Sequence, residues 1–194
     1  MPAGRRKGNS DTRQEVLDAA RDCFAASGYD GATIRAVAAK AGVDPALVHH
    51  FFGSKADLFA AAMELPVNPS ELIPSIVSGD VDELGQRIVR AFLSLWEEPK
   101  TRRRMLAVLK SAVRHEAAAT MLRMFLTREL FGAVAKTLDA PDAGLRANLV
   151  GSQLVGLAMA RYVIKVQPLA GASPEALVAA YAPAVQRYLT GKIA

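Results

Sequence analysis

The sequence predicts an all-α protein of about nine helices, and three observations carry that prediction. Proline and glycine divide the chain into segments with apolar residues at three- and four-residue spacing, and no run alternates with the period of a strand. Good N-cap residues stand at the head of the first four segments. With 51% hydrophobic residues in a chain of 194, there is material for a substantial core, which excludes a disordered protein.

The first helix opens at Ser10 or Asp11, places Val16, Ala20, Cys23 and Phe24 on one face, and stops at Gly28. Thr33 caps a short second helix with Ile34, Val37, Ala38 and Ala41 inward, and Gly42 ends it where a left-handed backbone is required. Asp44 at the N-cap and Pro45 at the first helical position then open a third helix through Leu47, Val48 and Phe51. Two short helices joined by a glycine-containing turn form a helix-turn-helix. Ser54 caps a fourth helix, with Leu58, Phe59 and Met63 on one side, which stops at Leu65 because Pro66 follows. Residues 66–80 carry three prolines and read as a connection between two halves. Beyond it, amphipathic segments at 81–97, 101–116, 117–138, 143–166 and 174–190 predict five further helices. No repeat of 20 to 50 residues is visible, which argues against a solenoid. The expected organisation is a basic arm at 1–9, a helix-turn-helix domain at 10–55 with helix four (54–65) leading out, and a second domain at 66–194.

Charge and composition narrow the function classes. The net charge is +5, but residues 1–65 hold 8 basic and 8 acidic residues, so the excess lies beyond them. Net charge alone therefore argues weakly for nucleic acid; more telling are the tail of Arg5, Arg6 and Lys7 and the locally positive stretch Thr33 to Lys55. The longest uncharged run, Ala147 to Ala160, is 14 residues, short of the roughly 20 that a membrane-spanning helix needs. No secretory signal is readable, so a cytoplasmic location is expected. The single Cys23 forms no internal disulfide and reads as a small core residue. Adjacent His49 and His50 point to different sides of a helix, so no metal or other cofactor is expected. The motifs of an enzyme, GxSxG, a glycine-rich phosphate loop or HExxH, are missing.

From Gly28 to Leu58 the sequence reads GYDGATIRAVAAKAGVDPALVHHFFGSKADL. The Gly-Tyr close of helix one, the Thr-Ile start of helix two, the turn at Ala41 to Val43, and Phe52-Gly53-Ser54-Lys55 opening helix four together resemble the DNA-binding domain of the tetracycline-repressor (TetR) family of bacterial transcription regulators. The resemblance implies a ligand-responsive regulator, a repressor in the first instance, that binds a pseudo-palindromic double-stranded DNA operator as a homodimer and is released by a small-molecule effector. It places phosphate contacts at Thr33, His49 and Lys55; the family commonly has tyrosine where His49 stands.

Physics assigns work to the same residues. The second helix of such a motif enters the major groove with its N-terminal residues at base edges, here Asp44, Pro45 and Ala46, followed by His49 and His50. Pro45 and Ala46 offer apolar contact to thymine methyl groups, and the histidines can donate to base or phosphate. Arg35 is the candidate reader, because a planar guanidinium takes guanine O6 and N7 together. In the second domain Phe92, Trp96, Met105, Leu109, Met121 and Phe125 stand at core spacing, and the resemblance makes some of them walls of an effector pocket. Basic residues on its flanks, with Glu116 alone opposing them between residues 100 and 128, favour a neutral or anionic amphiphilic effector. Arg102, Arg103 and Arg104 have two readings: a solvated patch balanced by Glu97 and Glu98, or a contact for an anion or DNA backbone. By resemblance a dimer interface is expected from Leu149, Leu154, Leu157, Met159, Tyr162, Leu177, Val178, Tyr181, Val185 and Tyr188, with Gly151, Gly156 and Ala158 allowing close approach. Two other classes compete: a helical acyl or lipid binder, which leaves Thr33 to Lys55 without a role, and a non-specific architectural DNA-binding protein.

Overall fold

The computed structural model describes residues 9–193, and among them the chain is helical with no strand. Arg5, Arg6 and Lys7 of the expected arm lie outside the described residues. The chain divides at Leu65 and Pro66 into two compact units.

The N-terminal unit contains α1 (Asn9–Gly31), α2 (Ile34–Ala41), α3 (Pro45–Phe52) and α4 (Lys55–Ala62). Each boundary follows from local chemistry. The chain bends at Gly28 (φ 67°) and makes one more turn before α2. Thr33 Oγ1 accepts the Ala36 N–H at 3.1 Å, Asp44 Oδ1 the Ala46 N–H at 2.7 Å, and Ser54 Oγ the Asp57 N–H at 3.0 Å, so three successive helices start on side-chain caps. Gly42 closes α2 in the left-handed conformation at φ 67°, ψ 32°. The core joins Val16, Ala20, Val37, Val48 and Leu58 to a cluster of Phe24, Tyr29 and Phe59 rings. Phe52, rather than the expected Phe51, is the buried aromatic of α3, and Cys23 is half-buried.

The C-terminal unit contains α5 (Pro69–Val77), a 3₁₀ turn (Val81–Glu83), α6 (Leu84–Glu97), α7 (Pro99–Arg114) and α8 (Glu116–Phe125). A wide π-helical stretch (Leu126–Phe131) continues α8 into α9 (Gly132–Lys136). Then come α10 (Ala143–Ala158), a second π-helical stretch (Met159–Ile164), a 3₁₀ turn (Leu169–Gly171) and α11 (Pro174–Thr190). Residues 66–80 are therefore more than a connection. Pro69 stands at the first position of α5, where its missing N–H costs nothing, and Leu72, Ile76 and Val77 packing on the core outweigh the one bond lost at Pro74.

The core of this unit packs α6 (Leu84, Ile88, Val89, Leu93) on α11 (Leu177, Val178, Val185, Leu189), with Val150 and Leu157 of α10 beside them. A Cβ at Gly85 would lie 2.7 Å from the Gln186 backbone nitrogen and 2.9 Å from the Ala182 carbonyl oxygen, so glycine permits this close crossing. Among the described residues no helix is long and apolar enough to cross a membrane.

Candidate nucleic-acid interface and ligand site

The caps that start α2 and α3 fix which residues the helix-turn-helix presents. Thr33, Arg35, Asp44, Ala46, His49 and His50 are all exposed, and Pro45 is half-buried at the head of α3. Two of them already hold backbone: the Thr33 hydroxyl and the Asp44 carboxylate accept the N–H groups of α2 and α3. Arg35 stands in the first turn of α2 and takes part in no hydrogen bond or ion pair among the described residues. His49 is tied to the turn after its helix, with Nδ1 3.0 Å from the Gly53 carbonyl oxygen. Lys55 is committed inward: Nζ donates to the Asp30 carbonyl at 3.2 Å and lies 4.8 Å from the Tyr29 ring centroid. Arg13, which the sequence reading passed over, lies 4.9 Å from the Phe52 ring centroid and adds a cation beside α3. Its signal, an arginine on the exposed side of an amphipathic helix, is indistinguishable in sequence from ordinary solvation.

In the C-terminal unit the sequence-expected ligand residues divide. Trp96 is buried against Ala158 and Tyr162, and Phe92, Met105 and Leu109 pack on that cluster. The Trp96 and Tyr162 rings stack at 5.1 Å, with Phe92 at 5.8 Å from Trp96. Phe125 is buried and Met121 half-buried on α8, outside this cluster. α7 contributes no fully buried residue, so Met105 and Leu109 form a half-covered wall.

A polar network that sequence reasoning missed borders the cluster. Arg161, 7% exposed, donates through Nε and Nη2 to Glu97 Oε1 at 3.1 and 2.8 Å and through Nη1 to the Leu169 and Ala170 carbonyls at 2.6 and 3.2 Å. The Tyr162 hydroxyl donates to the same Glu97 oxygen at 2.8 Å. Burial opposes ionisation of Glu97, but the Arg161 and Tyr162 hydrogen bonds outweigh it and hold the carboxyl below its ordinary value. Burial, then the bond to Glu97, pushes the Tyr162 phenol up to about 12. Glu98 caps α7 by accepting the Thr101 N–H, and backbone hydrogen bonds from Thr101 and Lys100 bring it down to about 2.

Both carboxylates offered as counterions to Arg102, Arg103 and Arg104 thus make their hydrogen bonds elsewhere, although the charge of Arg102 still helps hold Glu97 ionised. Arg102 turns inward, donating to the Trp96 carbonyl at 3.3 Å with its guanidinium 5.9 Å from the Tyr162 ring centroid, while Arg103 and Arg104 are exposed.

The expected dimer residues divide by their burial within the chain. Leu157, Tyr162, Leu177, Val178 and Val185 are at most 8% exposed within the chain and belong to its own core, leaving Leu149, Leu154 and Tyr181 half-buried. Gly151 receives the Phe131 ring and Ala158 abuts Trp96, so both serve packing within the chain. Of the expected residues Met159 faces outward, 39% exposed, and it is joined there by Val155, Val163 and Ile164, 41–66% exposed. Apolar residues surround these helices on two sides, and periodicity alone does not say which side the chain's own core takes.

Comparison with known proteins follows the same two-part division. Residues 16–62 match the family model of bacterial regulatory proteins of the tetR family, and residues 82–189 match that of the tetracyclin repressor-like C-terminal domain. A crystal structure of a TetR-family regulator from Streptomyces coelicolor A3 is 41% identical, covering 97% of this chain and 99% of that one, with a TM-score of 0.50. The HTH-type transcriptional repressor AcnR of Corynebacterium glutamicum is 46% identical over 61 residues; the match spans 31% of this chain and 31% of AcnR's length. The HTH-type transcriptional regulator BetI of Rhizobium meliloti is 27% identical over 183 residues, covering 70% of this chain and 90% of BetI.

Proposed function

Because the chain belongs to the tetR family of bacterial regulatory proteins, we propose that it is a ligand-controlled transcription regulator, a repressor that binds a pseudo-palindromic operator as a homodimer and is released by a neutral or anionic amphiphile. The observation that carries this reading is the capped helix-turn-helix, which keeps Arg35 and the α3 residues exposed on a well-packed unit. Arg35 reads a guanine, Pro45 and Ala46 meet thymine methyls, and Thr33, His49 and Lys55 hold phosphates, with Asp44 and His50 flanking them. One such motif reads too few base pairs to specify a site, which calls for two copies on a two-fold operator. The name of AcnR, matched over this region, favours repression.

The effector site is proposed at the Trp96, Phe92, Met105 and Leu109 cluster, with Met121 and Phe125 of α8, which lie outside that cluster, as further expected wall residues. The stacked rings supply apolar surface, and Arg102 brings a cation to its edge, which disfavours a lipophilic cation. Self-association is proposed through Val155, Met159, Val163 and Ile164 together with half-buried Leu149, Leu154 and Tyr181. An effector acts through different affinities for two dimer conformations, a coupling of about 1–3 kcal/mol, which lowers operator affinity about 5- to 150-fold.

The test is to select bound fragments from a random DNA pool, measure affinity for the enriched duplex against scrambled duplex, and then titrate neutral, anionic and cationic amphiphiles into the complex. A high specificity ratio and release by the first two support the reading. A ratio near one points to an architectural DNA-binding protein, and release by a lipophilic cation alone defeats the charge argument.

A further inference from the structure

We propose that His49 makes a proton-gated contact with the DNA backbone, so that operator affinity rises as its imidazole is protonated. The inference rests on the operator-binding reading above and adds a regulation of the same surface.

His49 is joined to Gly53 twice. Its Nδ1 lies 3.0 Å from the Gly53 carbonyl oxygen, and its own carbonyl accepts the Gly53 N–H at 2.7 Å. A carbonyl oxygen only accepts, so Nδ1 is the nitrogen that carries the proton in the neutral ring. The neutral ring therefore presents Nε2 as an acceptor, and turning the ring over to offer the N–H outward breaks the bond to Gly53. A phosphate oxygen is also an acceptor, and two acceptors form no hydrogen bond. Protonation converts Nε2 into a donor and adds a positive charge, and the contact forms.

Placement identifies phosphate as the partner. Base edges belong to the N-terminal residues of the second helix, here Pro45 and Ala46, whereas His49 is a full turn further on and bonded to the turn that leads into α4. The ring is exposed, so the DNA can reach it.

Surrounding charges do not replace this role. On α3 itself stand Asp44, engaged as the helix cap, and His50; α2 brings Arg35 and Lys40, and α4 brings Lys55 and Asp57. Asp57 accepts from the Ser54 hydroxyl at 2.6 Å, and Arg13 of α1 lies over Phe52. The operator adds phosphates on the open side, which favour the cationic ring in the complex over the free protein, so binding takes up protons.

The experiment uses the full chain and a duplex enriched from a random pool at pH 6, synthesised without terminal phosphates. Affinity is followed by fluorescence anisotropy at constant ionic strength from pH 6 to 8, a window in which histidine is the side chain that ordinarily changes charge. Expected is a fall in affinity with rising pH, bounded by about tenfold per pH unit for each half-site occupied. H49Q and H49Y, whose amide or hydroxyl donates at every pH, flatten the profile, while H115Q, in the C-terminal unit, keeps it. A wild-type profile flat over the window, or a slope retained in both His49 variants, overturns the proposal while leaving specific DNA binding intact. A pool that yields no enriched duplex overturns the operator-binding reading itself, and the proposal with it.

Discussion

Replacing Arg35 by alanine separates base reading from folding, because its exposed side chain makes no hydrogen bond or ion pair among the described residues. Arg35→Ala is expected to change unfolding free energy by no more than about 0.5 kcal/mol. A bidentate guanine contact is worth about 1–3 kcal/mol, or about 5- to 150-fold in affinity, and a two-half-site operator doubles the free-energy loss. Lys55 is the informative contrast, since its Nζ rests on the Asp30 carbonyl and the face of Tyr29, a ring packed with Phe24 and Phe59. An exposed cation–π contact contributes about 0.5–1 kcal/mol, so Lys55→Ala is expected to destabilise the N-terminal unit by about 1 kcal/mol. It should also weaken binding to every sequence alike and reduce the salt slope by about one per half-site. The assay pairs thermal unfolding with competition binding against every single-base variant of the selected operator. The division between reader and positioner is refuted if Arg35→Ala weakens all sequences uniformly, or if Lys55→Ala relaxes preference at one base pair.

Three sites in the C-terminal unit carry the further outcomes. Glu97→Ala strands the nearly buried Arg161 guanidinium; hydrogen bonds to charged groups are worth about 1.5–3 kcal/mol each, but Glu97 is one-third open to solvent, so a net loss of about 2 kcal/mol is expected in urea unfolding. Since Glu97 titrates lower folded than unfolded, its ionic contribution is full above the unfolded value of about 4.3 and fades as pH falls through the folded one; Glu97→Gln should lose that part of the acid sensitivity, and an unchanged acid limb counts against the network. Gly85→Ala should cost about 1–3 kcal/mol despite alanine's better helix propensity, because its Cβ meets α11 backbone rather than a movable side chain; a neutral effect in chemical denaturation contradicts the packing. Ile164→Asp places a charge on the outward apolar residues and should leave stability within about 0.5 kcal/mol while shifting sedimentation to the monomer; a dimer retained at micromolar concentration defeats the proposed surface.

What the sequence determined by itself is what nearest neighbours decide. Thr33, Asp44 and Ser54 bond backbone two or three residues away, and Gly42 turns the chain wherever it is placed, so the helix-turn-helix and its exposed residues are legible without knowing what packs on them. The tertiary structure decided the facing of residues with apolar neighbours on more than one side. It chose Phe52 over Phe51 for the core, folded the proline-bearing 69–77 segment into α5, and turned Leu157 and Val185 inward while Val155 and Ile164 face out. It also joined Glu97 to Arg161 and Tyr162 across more than sixty residues, a pairing to which helical periodicity gives no clue. The reason is one of range: caps and turns are satisfied within a few residues of chain, whereas burial and ion pairing depend on surfaces that meet only after distant helices have packed.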